Sequence, residues 1–343
     1  MSDRPDVAII MANYNGARFI GAAIESVLRQ TLTSWELIVV DDASSDASVA
    51  IAEEFAASDP RIKIVVQKVN RGPAAARNRA LDLVTARWIA IMDSDDLIPP
   101  QRLQCLLRRA HITGAAIIAD SLLEFSAKGR PRPFLPGWLS EETSWISLDT
   151  FISSNCLYSR TPPLGYLKPM IRMDMIRELD LRYDESLRIG EDYHFLIRLM
   201  AHGYRLLLEP GSFYFYRKHD SSVSHRLRES DIIALIAADH RFAHRDIPFP
   251  PPVQVALKRR RRTLRSLQAY DNVITAIKSG NYADAAQCAV LHPHIWPMLI
   301  RPITARLRRL GQRSKLLARR DHDVTLETLL SESASIRPSG APS

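Results

Sequence analysis

Short apolar runs alternate with helix-period segments along the first 120 residues. Residues 7–11, 35–40, 62–67, 88–92 and 115–119 are rich in β-branched and large apolar side chains and read as strands. Between them Ile20, Ile24, Val27 and Leu28 form one stripe at spacings of three or four. Val49, Ala52 and Phe55 form a second, and Leu103, Leu106 and Leu107 a third. Each is the mark of a helix with one buried face. This alternation predicts an α/β fold, a mostly parallel central sheet with flanking helices. From about residue 121 it stops, and a stretch rich in Pro, Trp and Tyr runs to about residue 170 and reads as loops and short elements. Helical period returns at 193–202, with Gly203 as its C-terminal cap, and 204–208 and 212–216 read as strands. Beyond about residue 228 the chain is helical and increasingly basic, and 331–343 has the Ser, Pro and Gly content of a loose tail.

Charge changes this picture at one end only. The net charge is +8, but residues 253–320 hold 15 Lys and Arg against Asp271 and Asp284, so the rest of the chain is slightly acidic. That distribution argues against a nucleic-acid-binding core and points to an anionic partner for the basic region alone. Cys105, Cys156 and Cys288 stand far apart with no metal-ligand or redox spacing, which fits a reducing compartment. The first strand begins too early for a signal peptide, and no run of about 18 apolar residues is present to cross a membrane.

In an open parallel sheet, ligands sit beyond the carboxyl ends of the strands. Here those ends are polar: Asn13-Tyr14-Asn15 after the first strand, Asp41-Asp42 after the second, Asn70-Arg71-Gly72-Pro73 after the third and Asp93-Ser94-Asp95-Asp96 after the fourth. Taken singly each has a plain explanation. Asp41 and Asp42 could cap the next helix, the acidic cluster could be a solvated turn, Tyr14 could be ordinary packing, and Arg77 could pair with Asp82. Together they suggest a diphosphate site. Carboxylates two residues apart can meet one hard divalent cation, and Mg²⁺ or Mn²⁺ stabilises a departing diphosphate as a Lewis acid. Arg77 could touch phosphate or hold the acidic cluster, and Tyr14 could stack on a base whose N–H is accepted by Asp41 or Asp42. Glu191-Asp192 follows Gly190 at a helix start, where acidic residues are at home anyway. Sugar transfer with inversion nonetheless needs one such carboxylate as base.

Residues 7–15, 39–46, 70–78, 93–96, 190–192 and 216–219 with 221–224 together resemble the family 2 inverting glycosyltransferases of GT-A fold, across roughly residues 5–225. The resemblance implies nucleotide contacts from Ala12, Tyr14, Asn15, Asp41, Asp42, Asn70, Gly72, Arg77, Asp93 and Ser94, with Asp93 reaching the sugar or ribose. It implies Mn²⁺ or Mg²⁺ on Asp95 and His219, Asp192 as the catalytic base, and Glu191 and Asp96 as secondary candidates. Met11-Ala12-Asn13 stands where the family usually shows Pro-Thr, and the Gln-x-x-Arg-Trp motif of processive members is absent, so one sugar per encounter is expected.

The stretches 72–78, 165–169 and 182–185 look most like glucosyltransferases of succinoglycan-type exopolysaccharide assembly. This implies a nucleoside diphosphate sugar donor, UDP-glucose, and a carbohydrate acceptor on a lipid-linked oligosaccharide. The expected organisation is a GT-A domain over 1–227, with a nucleotide-binding half to 120 and an acceptor half to 227. A basic helical appendage over 228–330 and a tail follow. Leucines interleaved with arginines over 306–320, beside the apolar 295–300, predict a cytoplasmic enzyme held peripherally on an anionic inner membrane face; a solvated helical face is the plainer explanation. A chain ending near residue 252 is then expected to stay soluble. The alternative is a non-catalytic sugar-nucleotide or polysaccharide binding module. A dinucleotide dehydrogenase is disfavoured, since Gly16 and Gly21 do not make its phosphate-binding pattern.

Overall fold

A computed structural model describes residues 4–126, 130–140, 142–219, 227–244 and 249–300, with Glu327, Leu329 and Leu330. The 221–224 step, the basic run 306–320 and the tail after residue 330 lie outside the described residues. The first half is the predicted alternation: β1 (Val7–Asn13), α1 (Ile20–Leu28), β2 (Trp35–Asp41), α2 (Ser48–Ser58), β3 (Ile62–Val66), α3 (Pro73–Leu83), β4 (Trp88–Asp93), α4 (Arg102–Thr113) and β5 (Ile117–Phe125). β1, β2 and β4 are buried along nearly their whole length, as strands covered by helices on both faces must be. They pair in parallel in the order β3-β2-β1-β4, which brings all four carboxyl ends to one edge.

The second half is a mixed extension. β6 (Arg132–Pro133), α5 (Gly137–Ser140), β7 (Ser144–Ile146) and α6 (Leu148–Ser154) lead to β8 (Met170–Arg172), α7 (Met173–Glu178), α8 (Glu191–Met200) and β9 (Leu206–Arg217). The sheet continues β4-β8-β5-β9-β7, with β8 antiparallel to both neighbours and β9 parallel to β5. The two strands read at 204–208 and 212–216 are one strand, and its register against β5 slips where Glu209 gives way to Phe213.

α9 (Glu229–Ala243), α10 (Pro251–Lys278) and α11 (Tyr282–Leu291) follow. Phe242, Phe249, Val253, Ala256 and Leu257 join the same apolar core as the sheet. A chain cut near residue 252 would lose Val253, Ala256 and Leu257 from that core, which weighs against the expectation that it stays soluble. The basic run 258–262 of α10 is exposed except at one position. Arg260 is buried, donating to Asp239 Oδ2 at 3.3 Å and to the Asn155 carbonyl at 2.5 Å.

Candidate functional site

A cavity of about 1300 Å³ opens where the carboxyl ends of β1 and β4 meet α8, the 155–166 loop and α10. Its first wall is laced together by side chain to backbone bonds. Asn15 has positive φ and donates its N–H to Ser44 Oγ at 2.8 Å, while its Oδ1 accepts from Ser45 N at 2.8 Å. Asp41 is buried and accepts from Asn13 Nδ2 at 2.7 Å and from Ser44. It braces two loops and does not line the cavity, which departs from the expected nucleotide contact. A Cβ on Gly16 would lie 2.2 Å from Asn13 Oδ1, so this close approach requires glycine.

Ala12, Tyr14 and Asn15 line the cavity, and Tyr14 is 54% exposed. Asp42 also faces it, accepting Arg71 N at 2.8 Å and Gly72 N at 2.7 Å, with Gln67 Nε2 at 2.9 Å. Burial still pushes its carboxyl up. Asn70 and Gly72 complete this side, where Gly72 in the left-handed region turns the chain into Pro73 at the start of α3.

At the end of β4, Asp93, Ser94 and Asp95 line the cavity. His219 Nε2 lies 2.8 Å from Asp95 Oδ2, although the two are 124 positions apart. The pair is delivered by β9, because Arg217 N donates to Asp96 Oδ1 at 2.7 Å and Arg217 Nε to the Asp95 carbonyl at 2.7 Å. Asp96 is turned into the protein beside the Tyr214 hydroxyl and does not line the cavity. Burial first, then Asp95 and Asp93, push its carboxyl well up. In this position it supports the loop through Arg217 N.

α8 begins at Gly190, held in the left-handed region, and presents Glu191 and Asp192 in its first turn on the cavity wall. Two buried cations join these acids to β4. Arg77 donates Nη2 to Asp93 Oδ1 at 2.7 Å and Nη1 to Glu191 Oε1 at 2.6 Å, and its Nη1 lies 3.5 Å from Asp192 Oδ1. It therefore holds the acidic cluster, one of the two roles open to it. Lys168 Nζ lies 2.7 Å from Asp93 Oδ2 and 2.9 Å from Asp192 Oδ2. Burial raises the Asp93 carboxyl, but Lys168 and Arg77 outweigh that and hold it below its usual range. Burial dominates at Glu191 and pushes it up against the Arg77 charge.

Lys168 is the residue that sequence reasoning passed over. A lone lysine between Leu167 and the apolar Pro169-Met170-Ile171 was the available signal, since lysine is rarely buried without a partner.

One carboxylate oxygen from each of Asp93, Asp95 and Asp96 lies within 4.8 Å of the others, a grouping able to hold a cation. Both Asp93 oxygens are already engaged by Arg77 and Lys168 and Asp96 faces inward, so Asp95 and His219 are the pair that fits. A carboxylate with an imidazole suits Mn²⁺ among the hard divalent ions.

Residues 8–177 match the family described as glycosyl transferase family 2. The chain is 38% identical to the succinoglycan biosynthesis protein ExoO of Rhizobium meliloti over 90% of this chain and 88% of that protein. It is 31% identical to ExoU of the same organism, over 88% of this chain and 87% of that one. A 91-residue stretch is 48% identical to the Escherichia coli UDP-Glc:alpha-D-GlcNAc-diphosphoundecaprenol beta-1,3-glucosyltransferase WfgD, covering 26% of this chain and 35% of that enzyme. In fold it is similar to S. aureus TarS residues 1–349 solved with UDP-GlcNAc, with a TM-score of 0.60 at 16% identity over 84% and 92% of the two chains. It is also similar to the mannosyltransferase PcManGT of Pyrobaculum calidifontis solved with GDP-Man and Mn²⁺, with a TM-score of 0.58 at 18% identity over 97% and 86%. The fold is that of the GT-A glycosyltransferases. The chain belongs to glycosyl transferase family 2 and is a glycosyltransferase.

Proposed function

We propose that this family 2 glycosyltransferase moves one glucose from UDP-glucose, with inversion, to a lipid-linked oligosaccharide in exopolysaccharide assembly. The observation that carries the reading is that Asp192 lines the same cavity as the Asp95–His219 pair, with Arg77 and Lys168 linking it to Asp93 two residues before Asp95. Tyr14 and Asp42 take the uracil and ribose end on the first wall, and Asp93 and Ser94 take the ribose or sugar. Asp95 and His219 would hold Mn²⁺ or Mg²⁺, which when bound supplies Lewis-acid stabilisation of the leaving diphosphate.

Asp192 accepts the proton of the acceptor hydroxyl as that oxygen bonds to the anomeric carbon and the bond to diphosphate breaks. One carboxylate suffices for this displacement. Glycosidases instead need a pair flanking the scissile bond.

Cavity size and lining support a large acceptor. Single ligands fill pockets of about 300–1000 Å³, so this cavity has room for more than the donor. Its lining also includes Leu157, Leu227, Leu235, Leu264 and Leu267 with Arg160 and Arg228, which suits an apolar chain bearing a diphosphate. The names of the ExoO and WfgD relatives point the same way.

Among the described residues no helix is long and apolar enough to cross a membrane. Val290, Leu291, Trp296 and Ile300 are exposed, as are Lys258, Arg259, Arg261 and Arg262, which supports peripheral attachment to an anionic surface.

The test is UDP release from a panel of nucleotide sugars with a lipid-diphosphate sugar acceptor. We expect turnover with UDP-glucose that stops on chelation and returns with Mn²⁺ or Mg²⁺. Full activity in shown metal-free enzyme, or preference for another donor, would overturn the corresponding part. Cosedimentation with anionic but not neutral vesicles, reversed by salt, checks the location.

A further inference from the structure

Lys168 stands at a junction that the transfer reaction does not by itself require. Its side chain is 7% exposed, and its ammonium bridges Asp93 at the end of β4 and Asp192 at the start of α8. The backbone that carries it is fixed. The Lys168 carbonyl accepts from Arg102 Nη2 at 2.6 Å, and Arg102 is itself held by both oxygens of the fully buried Asp120 on β5. One residue on, the Pro169 carbonyl accepts from Ile91 N of β4 at 3.2 Å, and Met170 enters β8. The ammonium is therefore set by the sheet and not by a loop.

Its effect on Asp192 is asymmetric. Oδ2 is engaged by Lys168, while Oδ1 is buried 3.5 Å from Arg77 Nη1, without a hydrogen-bond partner among the described residues, and the residue lines the cavity. The surrounding charges make that arrangement depend on the lysine. Asp93, Glu191 and Asp192 put three carboxylates around Arg77 and Lys168, and a carboxylate this buried turns away from like charges unless a cation holds it.

We propose that Lys168 is a positioning residue for the transfer step: by tying Asp192 Oδ2 to the donor-side Asp93, it fixes the orientation of the carboxylate that meets the acceptor hydroxyl. The inference rests on the reading of Asp192 as the base. It gives Lys168 an effect on turnover at saturating substrates and little on the affinity for nucleotide, which the lysine does not touch in this role. Burial alone would lower the basicity of this amine, but Asp192 and Asp93 together outweigh it and keep the ammonium charged.

The experiment compares Lys168→Met, Lys168→Gln and Lys168→Arg in the full chain, by kcat at saturating donor and acceptor, by UDP affinity in calorimetry, and by thermal midpoint. For Met and Gln we expect kcat to fall about 10-fold to 100-fold, less than the roughly 10²–10⁴ contributed by a general base itself, with UDP affinity within about threefold. Arg should recover part of the loss, since it restores the charge. In an Asp192→Asn background the Met change should cost less than about threefold more, because its target is gone.

A kcat within threefold of the native enzyme in Met and Gln overturns the inference. So does a loss that multiplies in the Asp192→Asn background, or one that falls equally on UDP affinity. If Met fails to fold, the Gln variant decides on the same terms. Native turnover in Asp192→Asn alone would instead overturn the reading of Asp192, and so separates the two failures.

Discussion

Arg77→Met isolates the energetic cost of the site's charge lattice. Arg77 is 3% exposed and faces Asp93, Glu191 and Asp192, so the substitution leaves three largely buried carboxylates with Lys168 as their remaining cation. Removing one partner of a buried ion pair costs about 3–5 kcal/mol, mostly through the uncompensated charge left behind. The Asp93 side chain is 25% exposed and keeps Lys168, which places the expected loss near the lower end, about 3 kcal/mol. At roughly 2 °C per kcal/mol for a large domain, that is a fall of about 6 °C in Tm.

The pH dependence has a sign. Burial already pushes the Glu191 carboxyl above its usual range with Arg77 present, so this group favours the folded state at low pH and loses that contribution as pH rises through its raised value. Without Arg77 the upward push is stronger, and the gap between native and variant should widen from acidic to neutral pH. Denaturant melts of both proteins at pH 5 and pH 7.5 measure it. Equal stability at pH 7.5, or a gap that grows as pH falls, would refute the assignment of Arg77 as the cation holding this cluster.

Three further outcomes follow from neighbouring residues. Asp95→Asn and His219→Ala should each weaken Mn²⁺ activation, raising the metal concentration for half-maximal activity at least about tenfold, and unchanged metal titrations would count against the pair. Asp96→Asn should retain most activity and gain stability relative to the native chain as pH rises, because burial disfavours the Asp96 carboxylate; collapse of metal-activated turnover would make Asp96 a ligand after all. Glu36→Gln should cost about 1–3 kcal/mol, because Glu36 accepts from Thr85 N, Thr85 Oγ1, Ala86 N and Lys63 Nζ. Burial opposes its ionisation, but these donors outweigh it and hold the carboxyl below its usual range. The cost should therefore persist at neutral pH and vanish only in strong acid, and a difference already absent at pH 5 would contradict it.

The parallel half of the sheet is legible in the chain because its strands are buried on both faces and read as unbroken apolar runs. β5 was cut short at residue 119 for the converse reason. It continues through Asp120 and Ser121 to Phe125, and the polar interruption is a buried carboxylate paired with Arg102, a partner 18 residues away. At β9, Pro210-Gly211 reads as a turn between strands but forms an irregularity within one. In α10 the apolar stripe Val253, Ala256, Leu257 and Leu264 is masked by the arginines between, one of which, Arg260, lies on the buried face.

The acids of the candidate site could be found because they sit directly after apolar strands or at a helix start. Their pairings could not, although Arg77 is named as a possible holder of the acidic cluster. Arg77 meets Glu191 across 114 positions, and Lys168 meets Asp93 and Asp192 only through the antiparallel insertion of β8 beside β4. His219 was named from a resemblance, and the contact with Asp95 depends on β9 reaching back to the β4 loop.

Asp192→Asn is the most direct test, because it keeps the shape and hydrogen-bonding atoms of the side chain while removing the base. Turnover with UDP-glucose and a lipid-diphosphate sugar acceptor should fall at least about 10²-fold, toward the 10²–10⁴ expected of a general base, while UDP affinity stays within about threefold. Native turnover in this variant, or a loss of UDP affinity as large as the loss of turnover, would contradict the assignment of Asp192 as the group that takes the acceptor's proton.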